Sequence, residues 1–219
     1  MQTIRERTKD HFPSVLLTLL SIIQALALEL LWSRLRGSDY LWDGGISAVV
    51  GWVQAAVLML GIFLVWLFYT SIVMRVSWVP SIQDSALPFA IGVLEFAVVD
   101  LMGPETLSFW FAGFAMIFAL STFASHSAFK RARLDPDNRD FFEAMSPTSR
   151  RDLAQPAAIV AGLLLLALVV RIDGGWGWIG LGALIATGGA LVHQIEILRR
   201  YWNRSISPNA EPNEPSSPG

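Results

Sequence analysis

The chain contains no cysteine, which excludes disulfides, thiolate metal sites, haem attachment and cysteine nucleophiles. Charge is sparse as well: only 16% of the 219 residues are Asp, Glu, Lys or Arg. No nucleotide-binding loop, zinc-protease motif or serine elbow is present. Repeats are missing too. Ser21-Ile22-Ile23-Gln24 and Ser81-Ile82-Gln83 look alike, but the likeness stops there, so an inverted-repeat transporter is not supported.

What fills the chain is apolar surface. Apolar residues make up 53% of it, with nine tryptophans, a composition of polytopic membrane proteins rather than soluble domains. Six stretches, at about residues 13–32, 46–74, 85–102, 107–123, 157–172 and 176–198, compare with the ~20 apolar residues a helix needs to cross ~30 Å of hydrocarbon. Breakers lie between them: Gly44-Gly45, Pro80, Gly103-Pro104 and Gly174-Gly175, while Pro13 suits the first turn of the first span. Short connections make sequential helices antiparallel. The expected fold is all-α, a six-helix transmembrane bundle formed by residues 1–204.

Orientation follows from Lys and Arg. One side receives Arg5, Arg7, Lys9, Arg75, the cluster Lys130, Arg131, Arg133, Arg139, Arg150 and Arg151, then Arg199, Arg200 and Arg204; the other receives only Arg34, Arg36 and Arg171. The positive-inside rule therefore puts both termini and the basic loop 128–155 in the cytoplasm. A bacterial inner membrane is the expected compartment. Trp32, Trp42, Trp110, Trp176 and Trp178 fall at outer ends and Trp78 and Trp202 at inner ends, as an interfacial belt requires. Residues 205–219, rich in Pro, Ser, Asn and Glu, read as a disordered tail. A second reading of the N-terminus is a cleavable signal peptide ending near Ala25-Leu26-Ala27; against it, the apolar run continues to Trp32, and Glu6 and Asp10 interrupt the basic region.

Small and polar residues recur at helical spacing on four spans: Ser14, Thr18, Ser21, Ala25 and Glu29; Asp84, Pro88, Gly92 and Glu95; Ser108, Ala112, Ala115, Ala119, Thr122 and His126; and Gly182, Ala186, Gly189, His193, Glu196 and Arg200. Such stripes are ordinary packing seams, and all four are expected to face inward. The ionisable groups within them are less ordinary, because a carboxylate in hydrocarbon costs at least ~2.5 kcal/mol on insertion scales. Pro88 removes a helical hydrogen bond and frees a carbonyl near Asp84, or simply kinks the helix.

Depth sorts the polar groups into an outer layer of Glu29, Gln54, Glu95 and Asp100 and an inner one of Asp84, His126, His193 and Glu196. A metal reading of the inner layer is weak, since Glu196 lies four residues before Arg200 and suits an intrahelical ion pair; no metal and no cofactor are expected. The leading expectation is a small proton or monovalent-cation channel or transporter subunit, with Glu29, Glu95, Asp84 and His193 on the ion pathway and Gln24, Gln54 and Asp100 in support. The alternative is a non-transporting scaffold or accessory subunit, favoured if the carboxylates prove sealed against Gln24 and Gln54. No catalytic residues are legible, so an enzyme ranks third.

The expected partners are the lipid bilayer and its anionic headgroups at Lys130, Arg131, Arg133, Arg150 and Arg151. Basic residues alternating with Phe141 and Phe142 fit headgroups better than nucleic acid. Ser146-Pro147-Thr148-Ser149 suits the start of a short interfacial helix. A homo-oligomer is left open.

Overall fold

In a computed structural model, residues 3–144, 150–174 and 176–206 are described, and among them there are helices and turns but no strand. The helices are α1 (Ile4–Arg36), α2 (Gly45–Arg75), α3 (Ile82–Asp100), α4 (Leu107–Ala132), a short α5 (Arg139–Ala144), α6 (Arg150–Asp173) and α7 (Trp178–Ile206), with 3₁₀ turns at Asp39–Leu41 and Pro136–Asn138. All except α5 are long and apolar enough to cross a membrane. The helix start expected at Ser146-Pro147-Thr148-Ser149 and the 207–219 part of the tail lie outside the described residues.

Helices overrun the apolar spans where capping allows it. Thr3 and Glu6 form a reciprocal capping box, with Glu6 N–H donating to Thr3 Oγ1 (3.3 Å) and Thr3 N–H to Glu6 Oε2 (2.8 Å). The cap starts α1 nine residues before Pro13, so that proline sits inside the helix rather than in its first turn. At the outer ends, Gly44 (φ +79°), Gly45 (φ +73°) and Gly103 (φ +143°) occupy backbone conformations that side chains disfavour, and this turns the chain between helices.

Around the central α2, α1 and α7 pack on it directly, α3 lies between α1 and α4, and α6 packs on α4. The middle of the core is aromatic. Trp110 stacks on Phe114 (4.8 Å between centroids), and the Phe114 ring fills the space over Gly61, where a Cβ would come within 2.2 Å of it. Trp110 is therefore fully buried and does not belong to an interfacial belt; Trp78 is buried too, whereas Trp32, Trp42 and Trp178 are exposed as a belt predicts. Gly92 brings α3 against Ile23 of α1, where an added Cβ would lie 2.3 Å from Ile23 Cγ2. Along the α2–α7 seam, Val57 meets Gly188 and the Arg75 guanidinium stacks over Trp202 (5.4 Å).

Polar ties close both ends. At the outer end, Arg34 donates to the carbonyls of Met102 (3.1 Å) and Asp100 (3.4 Å), while Gln54 Oε1 accepts from Gly103 N–H (3.3 Å); both hold the α3–α4 hairpin. At the end that Lys and Arg assign to the cytoplasm, Lys9 bridges Asp135 (2.8 Å) and Asp137 (2.5 Å), and Asn138 accepts from Ser77 N–H and donates to the carbonyls of Ser77 and Ala132.

Candidate functional site

The four stripes do not share one destination. On α3, Asp84, Pro88, Gly92 and Glu95 are all buried, as expected. On α1, Ser14, Thr18, Ser21, Ala25 and Glu29 are all exposed, because Leu16, Leu20, Ala27 and Leu31 on the opposite side form the buried face. On α7, Gly182, Ala186, Gly189 and His193 are exposed while Ala183, Leu184, Thr187 and Leu191 are buried. On α4 only Ala115 of its stripe is buried. The expectation of inward stripes is thus corrected for α1 and α7 and holds on α4 for that one residue. The physical reason is that lipid tails are as apolar as a bundle interior, so hydrophobicity does not choose which face turns inward.

The proposed ion-pathway residues separate accordingly. Glu29 and His193 lie on the outer surface of the bundle, and Asp100 is exposed at the end of α3. Asp84 is buried near the cytoplasmic end but engaged: its Oδ2 accepts from Ser81 N–H (2.7 Å) and Ser81 Oγ (3.0 Å), and its Oδ1 binds Arg131 of α4. Glu95 alone sits sealed inside the bundle, 1% exposed, with Oε1 lacking a hydrogen-bond partner among the described residues. Gln24 of α1, also buried, bears on the Glu95 carboxyl while donating to the carbonyl of Ile62 (3.0 Å).

One member of this group escaped the sequence reading. Tyr69 of α2 is buried within electrostatic reach of both Asp84 and Glu95, and its hydroxyl has no partner among the described residues. With Trp78, Asp84 and Ser125 it lines a small cavity of about 10 Å³, the size of a single water. Asp84, Tyr69, Glu95 and Gln24, contributed by α3, α2 and α1, are thus the buried polar groups of the bundle's interior that lie within electrostatic or hydrogen-bond reach of one another. Tyr69 was not legible because a tyrosine in an apolar run carries no spacing signal of its own.

A second concavity opens sideways. Although α6 and α7 are consecutive, each packs mainly on another helix, α6 on α4 and α7 on α2. Between them lies a cleft of about 520 Å³ lined by Phe118, Gly162, Leu166, Ala186 and Leu191, with Gln155, His193 and Gln194 at its cytoplasmic end.

The inner charges are mostly spoken for. Glu196 takes Arg199 (2.7 Å) and Arg200 (2.9 Å), the second being the pairing its spacing suggested. Arg131 binds Asp84 and Ser127 Oγ (2.8 Å) and keeps part of its side chain exposed. Arg133 stacks over Phe142 (5.2 Å), whose ring packs on Phe129 of α4. Lys130 remains exposed, and the side chains of Arg150 and Arg151 lie outside the described residues.

Fold and site together define an all-α, multi-pass integral membrane protein with the Glu95 carboxyl sealed in its core. Compared with known proteins, the chain matches no family model, no curated sequence and no solved structure.

Proposed function

We propose that the protein is a non-transporting membrane scaffold or accessory subunit, without enzymatic activity of its own, whose outward polar faces engage other transmembrane helices. The observation that carries this reading is the divergence of the acids: Glu29 faces out, Asp84 is tied to Arg131, and Glu95 is sealed beside Gln24. Groups that conduct an ion would have to face a common route. Lys130, Arg133, Arg150 and Arg151 then serve anionic headgroups or partners on the cytoplasmic side.

A proton-transfer role is the second reading, favoured by the buried Tyr69, which lies within electrostatic reach of both the Asp84 and the Glu95 carboxyl groups. Flux across proteoliposomes under an imposed pH or cation gradient separates the two. On the scaffold reading wild-type vesicles leak no more than empty ones, and Glu95→Gln keeps or slightly raises stability by removing a costly ionisable group. Wild-type flux that Glu95→Gln abolishes, with fold and yield intact, would establish proton transfer instead.

A further inference from the structure

The exposed side of α1 carries a polar stripe that ends in an acid. Ser14, Thr18, Ser21, Ala25, Glu29 and Arg36 share one face, and all are exposed. At 3.6 residues per turn Glu29 points directly away from Leu20, which is buried in the bundle. Thr18 Oγ1 donates to the carbonyl of Ser14 (2.8 Å) and so hides its hydroxyl within the helix. The Glu29 carboxylate has no such outlet, and it makes no hydrogen bond or ion pair with any described residue. Lipid tails offer it nothing.

Two copies in one membrane run parallel, so a two-fold axis along the membrane normal sets the α1 faces against each other at equal depth. That face offers a second copy both small residues for close approach and charges of both signs. Ser21 and Ala25 are small enough for close backbone approach, between the bulkier exposed Ile22, Leu26 and Leu28. Beyond them stand an acid and a base: Arg36 lies two turns, ~10 Å, past Glu29, and its guanidinium folds back over Trp32 (5.9 Å), shortening that gap. In a parallel pair each Arg36 then reaches toward the Glu29 of the other copy.

We propose that α1 is the contact face of a homodimer, packed through Ser21 and Ala25 and paired through Glu29 and Arg36 of opposite copies. The proposal rests on the reading of outward polar faces as docking surfaces and names a second copy as the occupant.

Because the chain has no cysteine, one introduced thiol reports one position. Ser21→Cys and Ala25→Cys, both nearly isosteric, are oxidised in membranes of expressing cells and in proteoliposomes of the purified protein, with the exposed Leu26→Cys as the off-face control. A disulfide-linked dimer is expected at Ser21→Cys and Ala25→Cys but not at Leu26→Cys. In the Ala25→Cys background, Glu29→Arg should abolish the dimer, and adding Arg36→Glu should restore it. Equal cross-linking at Leu26→Cys, no cross-linking of the purified protein, or failure of the charge swap to restore it would overturn the homodimer. If the purified protein is monomeric yet passes no ion, the scaffold reading survives and only the second copy is lost. Flux through the same vesicles would remove the scaffold reading by itself.

Discussion

Arg131, in the last turn of α4, binds the carboxylate of Asp84 in the first turn of α3, and that carboxylate also accepts the Ser81 backbone N–H at 2.7 Å. One buried group thus caps its own helix and fastens a neighbour. Asp84 is almost fully enclosed while Arg131 is partly open to solvent, so the pair is less costly to assemble than one with both ions buried.

Asp84→Asn should lower stability by about 2 kcal/mol, because the side chain keeps its shape but leaves Arg131 without its counter-charge. Arg131→Met should cost a similar amount. In a double-mutant cycle read by thermal unfolding in detergent, the double variant should lose much less than the sum. Additive losses would show that the two residues act separately.

The inward and outward faces of α3 and α7 make opposite demands. Gly92→Ala should destabilise by roughly 1–3 kcal/mol, since the added methyl meets the stiff β-branched Ile23. On α7, Leu191→Ala should cost about 2–5 kcal/mol, because Leu191 is buried, whereas Gly189→Leu should be nearly neutral, with open space around that glycine. The sequence stripe alone predicts the reverse order for those two, so folded yield in detergent tests the orientation of α7 directly.

Acid should loosen the cytoplasmic clasp. Burial pushes the Asp135 carboxyl up, but hydrogen bonds from the Lys9 ammonium and the Asp137 backbone N–H, with the charges of Lys9 and Arg5, outweigh it and hold the group below its ordinary value. A carboxyl depressed in the folded state stabilises above its unfolded pKa of ~3.9, and the contribution disappears as pH falls through the folded value. The stability gap between wild type and Asp135→Asn should therefore be flat from neutral pH down to about pH 5, then close below ~4. A gap that persists at pH 2 would mean that shape, not charge, holds the clasp.

Topology reporters fused at the N-terminus, near Arg133 and at the C-terminus should read cytoplasmic, and those at Asp43 and Asp173 should read outside. The clasp binds Lys9, Ser77 and Asn138 at one end of the bundle, so these segments must score together. An outward signal near Arg133 would invert every depth argument.

Fold class was legible in the sequence because bilayer thickness fixes how long an apolar run must be, and glycine and proline mark where it stops. Ion pairs set by spacing within one helix, such as Glu196 with Arg200, were legible for the same local reason. Facing was not. In water an apolar stripe points inward because the alternative exposes it to solvent, but in lipid both sides of a helix are equally apolar, so the stripe carries no sign. Shape decided it: Phe114 entering the space over Gly61 and Ile23 entering that over Gly92 set the packing of α2 and α3, and burial of Leu20 and Ala27 turned Glu29 outward. Residues 40 or more apart in the chain, such as Asp84 and Arg131 or Gln24 and Glu95, became neighbours only through that packing. The sequence by itself determined that the protein spans a membrane and where its apolar spans lie; the tertiary structure alone decided how far the helices run past those spans and which charges face the bundle and which the bilayer, because close packing and interhelical polar contacts distinguish the two sides and hydrophobicity does not.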